Sequence, residues 1–231
     1  MATQVIVVRI PCSDKMKGTH KGNKVRMFLT DVSCVGKTTI GKKVAELHGI
    51  KFFDLDQEIE GFFQTSIERL QKRFLTVHSF RSEAAKALVH LLNSPDSERC
   101  VIALPPSGLM GGYLRVIKKT EGTVVVITDK PENILKRITF YDIDSRPLEK
   151  KLTSKEEELY LREIKKDITY FRTSYHRANL KVDISGLDAN QAACKLIEAV
   201  KEHEEGKVPQ VKSEPVAQAD PRPRGPSKSV L

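Results

Sequence analysis

The chain has 231 residues, of which 39% are hydrophobic, and it carries a formal net charge of +9 at pH 7. This length predicts one hydrophobic core with appendages. The four cysteines are scattered and form no Cys-X-X-Cys pair, which argues against a zinc site and against a disulfide framework. No apolar run approaches the length of a membrane span, and the first residues lack the pattern of a secretory signal. We therefore expect a cytoplasmic protein with no membrane contact.

Most of the net positive charge comes from one segment. Residues 15–26 hold five basic side chains and no acidic one, residues 204–231 contribute +1, and only +3 is left for the rest of the chain. A protein that binds nucleic acid is expected to spread basic and stacking aromatic side chains over a whole face. We therefore interpret residues 1–23 as a basic, solvated N-terminal extension with a short strand at residues 5–8, and we expect no nucleic-acid partner.

From residue 24 the chain alternates between short apolar strands and segments with helical periodicity. The strands lack polar alternation, which is typical of a parallel sheet buried on both faces. Strands are predicted at residues 25–29, 50–54, 101–104, 124–127 and 180–184. Helices are predicted at residues 40–47, within 57–92, and at 131–139, 154–177 and 188–202, and a turn followed by a helix is predicted at 108–119. Residues 24–203 thus predict one α/β domain, a P-loop NTPase-type three-layer sandwich with a five-stranded parallel sheet.

Residues 204–231 form a third segment. They contain five of the eleven prolines and no aromatic residue. Such a segment cannot bury enough apolar surface to offset the entropy lost on ordering, so a disordered, proline-rich tail is predicted.

The loop after the first strand of the predicted domain reads Asp-Val-Ser-Cys-Val-Gly-Lys-Thr-Thr, residues 31–39. A loop that joins a strand directly to a helix aims backbone N–H groups and the positive end of the helix at one point, where phosphate binds. Lys37 would add a positive charge for the β and γ phosphates of ATP, and the Thr38 hydroxyl would be a ligand for Mg²⁺. The alternative is a chance Gly-Lys-Thr at a helix start. The predicted nucleotide-binding residues are Val35, Gly36, Lys37, Thr38 and Thr39.

Asp31 stands where the phosphate-loop pattern G-x-x-x-x-G-K-[ST] has its first glycine. Glycine is usual there because the backbone conformation is costly for a residue with a Cβ and because a side chain would crowd the nucleotide. Aspartate tolerates left-handed conformations better than most residues but brings a negative charge towards a polyphosphate. We expect a weaker affinity for the nucleotide rather than a different fold.

Two acids, Asp54 and Asp56, close the second strand of the predicted domain. Alternate residues of an extended chain point the same way, so both carboxylates can face the cleft above the phosphate loop. One carboxylate can hold Mg²⁺ through water while the other orients or deprotonates an attacking hydroxyl. The alternative is a structural role, in which Asp56 caps the next helix.

Further motifs follow the phosphate loop in a fixed order. They are Gly36-Lys37-Thr38-Thr39-Ile40-Gly41, Phe53 to Glu60, Ser66-Ile67, Phe80-Arg81 and Arg146-Pro147-Leu148. Together, over residues 25–202, they resemble the shikimate kinase family. The resemblance implies a P-loop fold with a mobile lid and an enzyme that uses ATP and Mg²⁺ to phosphorylate the 3-hydroxyl of shikimate, in aromatic amino acid biosynthesis. We expect a monomer whose partner is a small-molecule substrate.

The resemblance also implies roles for individual residues. Lys37 and Thr38 would contact phosphate and Mg²⁺, and Asp54 would lie beside the metal. Asp56 would bind the attacking hydroxyl and act as the base. Arg81 would pair with the carboxylate of shikimate.

Arg146 resembles the arginine of a lid that closes over ATP, and the preceding residues 141–145 are polar enough to form such a lid. A guanidinium delivered by a closing loop stabilises the charge on a transferring phosphoryl group once water is excluded. Lys37, Asp56 and Arg146 are therefore the predicted catalytic residues.

The sequence departs from the family pattern at Asp31 and also on the acceptor side, where the substrate that accepts the phosphoryl group would bind. The family has a Gly-Gly-Gly run after the third strand, whereas this chain has Pro105-Pro106-Ser107-Gly108, and prolines lack the N–H donor. Ser107 remains a predicted contact with the substrate that accepts the phosphoryl group. Arg172 is the predicted second arginine for the carboxylate, but it precedes Tyr175 one position closer than the pattern requires, which turns it by roughly 100° on a helix.

Three functions follow from these observations. The first is an active shikimate kinase, because the residues that act on the phosphoryl group are present. The second is a kinase for another small hydroxylated acid, because two departures lie on the acceptor side. The third is a catalytically silent relative that acts as a binding or regulatory protein.

Overall fold

The computed structural model describes residues 25–206 of the chain. The strand predicted at residues 5–8, nearly all of the basic segment and all but the first three residues of the proline-rich tail lie outside this range. Within it, no helix is both long enough and apolar enough to cross a membrane.

Five strands form the central sheet, and every neighbouring pair is parallel. They are β1 (Val25–Thr30), β2 (Lys51–Asp54), β3 (Arg99–Ala103), β4 (Thr123–Thr128) and β7 (Leu180–Asp183), in the order β2-β3-β1-β4-β7. Two short strands, β5 (Phe140–Tyr141) and β6 (Pro147–Leu148), pair antiparallel in a separate hairpin. The predicted five-stranded parallel sheet is confirmed. Because β1 lies at its centre, the loop after β1 emerges in the middle of the carboxyl edge, where ligands bind in such folds.

Eight α-helices flank the sheet in the described range. They are α1 (Lys37–His48), α2 (Leu55–Phe63), α3 (Ile67–Gln71), α4 (Val77–Leu92), α5 (Gly111–Ile117), α6 (Pro131–Leu135), α7 (Ser154–Tyr175) and α8 (Ala189–Glu204). Side chains of the central strands alternate between two cores. Leu29 and Val125 belong to the core that includes α1 and α8, whereas Phe28 and Val126 belong to the core that includes α4 and α5. Both faces are therefore buried, which explains why these strands show no polar alternation.

Two predicted helical segments have different boundaries in the structure. The amphipathic region 57–92 is divided into α2, α3 and α4, because Gln64 adopts a left-handed conformation (φ 52°) and the side chains of Ser66 and Thr76 cap the starts of α3 and α4. The helix predicted at residues 131–139 ends at Leu135, before the chain enters β5. The turn and helix predicted over residues 108–119 are present, with α5 beginning at Gly111 and ending at Ile117.

Candidate active site

The loop between β1 and α1 has the backbone geometry of an anion site. Gly36 has a φ of 112°, which residues with a Cβ rarely adopt, and α1 begins directly after it. No side chain caps the start of α1, so the N–H groups of its first turn can bind a phosphate. Cys34 is also left-handed (φ 60°), and its carbonyl oxygen accepts a hydrogen bond from Arg137 Nε (3.2 Å). Arg137 therefore helps to fix the loop.

The ammonium group of Lys37 folds back over this loop. It donates hydrogen bonds to the carbonyl oxygens of Asp31 (3.0 Å) and Val32 (2.8 Å). Burial lowers the pKa of Lys37, and the nearby charges of Asp56, Asp31 and Asp54 oppose that change. The lysine and both acids of the predicted site therefore lie within electrostatic range of one another.

Asp31 is turned into the protein. The residue is 4% exposed, and its Oδ1 accepts a hydrogen bond from the N–H of Val32 (2.6 Å). Burial raises the pKa of Asp31 to about 6, against the opposing effects of the Val32 hydrogen bond and the charges of Lys37 and Lys181. The side chain thus occupies one backbone N–H group of the loop. The weaker nucleotide affinity expected from Asp31 remains a prediction.

Thr38 and Asp54 meet between the start of α1 and the end of β2. The Thr38 hydroxyl donates a hydrogen bond to Asp54 Oδ2 at 2.7 Å. A hydroxyl and a carboxylate beside a phosphate loop offer the oxygen ligands that Mg²⁺ takes in P-loop enzymes. The pair therefore fits the metal-binding role predicted for both residues.

Asp54 also caps α2, since its Oδ1 accepts a hydrogen bond from the N–H of Asp56 (3.2 Å). The alternative prediction, in which Asp56 caps this helix, is therefore wrong. Asp56 is not on extended chain either, because it lies in the first turn of α2. The two acids are neighbours through a helix cap rather than through strand alternation.

Asp56 stays close to the phosphate loop despite this change. Burial and the charge of Asp54 raise the pKa of Asp56 to about 6, while Lys37 opposes them. Glu60 and Glu68 add smaller effects in the upward direction. A carboxylate whose pKa lies near neutral pH is suited to accept a proton from a hydroxyl.

Arg81, on α4, has a buried nitrogen without a partner. Its Nε makes no hydrogen bond to any residue between 25 and 206. The charges of Arg81 and Asp56 both act on the hydroxyl of Tyr113, a residue only 1% exposed whose pKa is raised mainly by burial. Arg81, Tyr113 and Asp56 therefore share one region. A buried polar group without a partner is costly, and the pairing of Arg81 with a carboxylate of the substrate remains a prediction.

The loop after β3 is held through its carbonyl groups. The oxygen of Pro105 accepts a hydrogen bond from Thr30 Oγ1 (3.4 Å), and that of Pro106 accepts one from the Tyr175 hydroxyl (3.2 Å). Ser107, a predicted acceptor contact, is half-buried, and its hydroxyl has no hydrogen-bond partner in the described part of the chain. The prolines therefore fix the loop and leave the Ser107 hydroxyl free.

Arg172 is exposed on α7, and its side chain makes no hydrogen bond or ion pair with residues 25–206. Its role as the second arginine for the carboxylate remains a prediction. Tyr175, three positions later, faces the sheet edge through its bond to Pro106. The one-residue difference in spacing thus coincides with an exposed arginine.

Arg146 lies on the hairpin of β5 and β6, so the predicted lid is not wholly irregular. The residue is exposed, and its backbone N–H donates a hydrogen bond to Asp142 Oδ1 (2.9 Å). A hydrogen bond from Arg69 and, to a smaller extent, the charge of Arg146 lower the pKa of Asp144. The Arg146 guanidinium itself has no hydrogen-bond partner among the described residues.

Sequence reasoning did not identify Tyr113 or Arg137. The signal for Tyr113 was the preceding pair of glycines: Gly111 has a φ of 52°, and a Cβ on Gly112 would lie 2.6 Å from the carbonyl oxygen of Arg81. Only glycine permits this close approach of α5 to α4. Arg137 gives no local signal, because its partner in the phosphate loop is 103 residues away.

The sheet order, the phosphate loop after the central strand and the acids that meet it define the class of P-loop kinases. The family model of shikimate kinase matches residues 33–201, which is most of the chain. The chain therefore belongs to the shikimate kinase family.

Individual relatives agree with this result. The shikimate kinase of Thermoanaerobacter pseudethanolicus is 27% identical over 175 residues, which are 75% of this chain and 94% of that protein. The shikimate kinase of Chlorobaculum tepidum is 31% identical over 112 residues, 48% of this chain and 56% of that protein. The crystal structure of shikimate kinase from Aquifex aeolicus is 25% identical, with a TM-score of 0.58, and covers 78% of this chain and 99% of that one.

Two other relatives match over a smaller share of their length. The matched part is 24% of a bifunctional shikimate kinase/3-dehydroquinate synthase from Thermotoga maritima and 26% of a shikimate kinase from Parabacteroides distasonis.

Proposed function

We propose that this protein transfers the γ-phosphoryl group of ATP to the 3-hydroxyl of shikimate, with Mg²⁺, as an enzyme of aromatic amino acid biosynthesis. Family membership supports the proposal, as do the relatives named shikimate kinase. The observation that carries it is a convergence of groups. A lysine over the phosphate loop, a hydroxyl–carboxylate pair, a half-buried acid of raised pKa and a buried arginine nitrogen without a partner lie at one edge of the sheet.

Each group has a role in phosphoryl transfer. Lys37 and the N–H groups at the start of α1 would hold the phosphates of ATP, and Thr38 and Asp54 would hold Mg²⁺, which neutralises charge on the phosphates. Asp56 would accept the proton of the attacking hydroxyl as its oxygen bonds to the γ-phosphorus and the bond to ADP breaks. Arg146 would stabilise the charge on the transferring oxygens.

The acceptor would be oriented by its carboxylate. A guanidinium and a carboxylate form a directional, charge-assisted pair, and Arg81 has an unused donor in the region of Asp56. Holding the acid in one orientation places one hydroxyl near the base, which is a large part of the catalysis available to such an enzyme.

A second candidate is a kinase that acts on a different small hydroxylated acid. Its support is the exposure of Arg172 and the proline-fixed loop around Ser107, both on the acceptor side. A third candidate is a silent binding protein, supported by Asp31, whose carboxylate occupies the Val32 N–H.

Release of ADP from ATP and Mg²⁺ in the presence of shikimate tests the first candidate, with quinate and gluconate as other acceptors. Turnover that requires shikimate supports it, and turnover with only another acid favours the second candidate. An Asp56→Asn variant controls for ATPase activity that does not involve the proposed base.

Thermal unfolding with ATP and Mg²⁺ separates the third candidate from the others. A ligand at 100 times its Kd adds about 2.7 kcal/mol to the free energy of unfolding. No turnover and no thermal shift would indicate a silent protein that does not bind nucleotide.

A further inference from the structure

The hairpin that carries Arg146 has a turn, residues 142–146, that is shaped by its own hydrogen bonds. Asp142 Oδ1 accepts bonds from the N–H groups of Asp144 (2.8 Å) and Arg146 (2.9 Å), and the Asp142 N–H donates to the carbonyl of Arg146 (2.9 Å). Ser145 adopts a left-handed conformation (φ 59°) within this turn. The turn can therefore move as one preformed unit.

This turn contacts α2 and α3, which lie 75 to 85 residues earlier in the chain. The main contacts are three side-chain hydrogen bonds, which we call the latch. The latch consists of Ser66 Oγ to the carbonyl of Ile143 (2.5 Å), Arg69 Nε to Asp144 Oδ1 (2.7 Å), and the hydroxyl of Ser145 to Glu60 Oε1.

The latch lies next to the acceptor side of the site. Glu60 is on α2, the helix whose first turn carries Asp56, and its charge helps to raise the pKa of Asp56. The same Glu60 oxygen accepts the N–H of Ile67 (3.0 Å), which ties α2 to the start of α3. The hairpin turn is therefore bound to the segment that carries the proposed base.

The latch is built from contacts that open easily. The side chains of Arg69 and Asp144 are 52% and 41% exposed, and exposed ion pairs are individually weak. The base of the hairpin is held differently, because Phe140 packs edge-on against Tyr160 of α7 with Lys150 over both rings. The turn can thus leave α2 and α3 while the other end of the hairpin stays attached to α7.

We propose that Arg69 and Glu60 are positioning residues that hold Arg146 in its closed arrangement by binding the hairpin turn. Both residues act on the hairpin through hydrogen bonds to its turn, and Glu60 also acts on Asp56 through its charge. The effect on turnover rests on the proposed kinase function, but the effect on the hairpin does not.

Charge reversal with rescue tests the proposal in the full-length protein. Arg69→Glu and Asp144→Arg each replace attraction with repulsion, and the double variant restores an opposite-charge pair. Hydrogen exchange of peptides that cover residues 140–148, measured without ligand, is expected to be about threefold to tenfold faster in each single variant and to return to within about twofold in the double variant.

Lys166→Glu is the matched control, because the Lys166–Glu163 pair on α7 is similarly exposed, at 56% and 51%. This variant is expected to leave hairpin exchange unchanged. Unchanged exchange in Arg69→Glu, or no rescue in the double variant, would overturn the proposal.

Kinetics gives the second readout. With ATP, Mg²⁺ and shikimate, each single reversal is expected to lower kcat by about threefold to tenfold while the KM for ATP changes less than about twofold, since the latch acts on the closed arrangement. An equal kcat in wild type and Arg69→Glu would overturn the catalytic part. If wild type does not phosphorylate shikimate, the proposed function fails, and the exchange result alone decides the latch.

Discussion

The nucleotide side and the acceptor side of the site are held by different kinds of structure. On the nucleotide side, Lys37 bonds to two carbonyls of its own loop, and Thr38 bonds to an acid only 16 residues away. On the acceptor side, Arg81 comes from α4 and Tyr113 from α5, while Tyr175 of α7 holds a loop carbonyl 69 residues away. The phosphate side of the site is thus formed by one short segment of the chain, whereas the acceptor side depends on how several helices pack.

The largest effect is expected on the nucleotide side. Lys37→Met removes the positive charge next to the phosphates, and removal of one such electrostatic contact typically costs about 10² to 10³ in kcat. The measurement is the rate of ADP release with shikimate. Lys166→Met, on an exposed part of α7, is the control and is expected to keep wild-type activity.

Removal of Arg81 is expected to affect only the acceptor. Arg81→Met loses a hydrogen bond to a charged group, worth about 1.5–3 kcal/mol, so the KM for a carboxylated acceptor should rise about 10- to 100-fold. The Kd for ATP, measured by calorimetry, should stay within about twofold. An equal loss of nucleotide affinity would show that the two sides are not independent and that Arg81 does not bind the acceptor.

The pKa of Asp56 predicts a pH dependence. Its pKa is raised to about 6, and a base must be ionised, so kcat/KM should fall as the pH drops through about 6 and be roughly tenfold lower at pH 5 than on the plateau. The residual activity of Asp56→Asn should lack this step. A step that persists in Asp56→Asn would assign the titration to another group.

The remaining effect is expected from Asp31 and concerns stability rather than turnover. Its pKa is higher in the folded protein than in an unfolded chain, so the ionised form is disfavoured by folding and the wild type loses stability as the pH rises from about 4 to about 6. Asp31→Asn keeps an acceptor for the Val32 N–H without the charge. At pH 7.5 it should add about 3 kcal/mol, or roughly 6–12 °C in Tm.

Comparison across pH gives the control for Asp31. Near pH 4 the difference between Asp31→Asn and wild type should be small, because the carboxyl is then largely neutral in the folded protein. The exposed acid Asp96 is a matched position, and Asp96→Asn should change Tm little at either pH. A Tm gain of equal size at pH 4 and pH 7.5 would contradict the role given to burial.

Much of the fold could be predicted from the sequence, because five apolar runs without polar alternation have few arrangements other than a buried parallel sheet. The nucleotide side could be predicted for a related reason. Gly36, Lys37 and Thr38 are consecutive, and the backbone of one loop places all three. The role of Asp54 as helix cap was missed. Two acids separated by one residue are expected both for neighbours on one face of a strand and for a cap with its first helical turn, so the spacing does not distinguish the two.

The sequence alone determined that a phosphate loop follows the central strand of a parallel α/β sheet, since local backbone geometry and hydrophobic pattern are both written in neighbouring residues. Only the tertiary structure decided that Arg81 has a buried nitrogen without a partner, that Arg172 is exposed and that Arg69 binds the hairpin turn. These outcomes depend on which helix faces meet and on small rotations about their axes. Such contacts join residues far apart in the chain, so no local pattern records them.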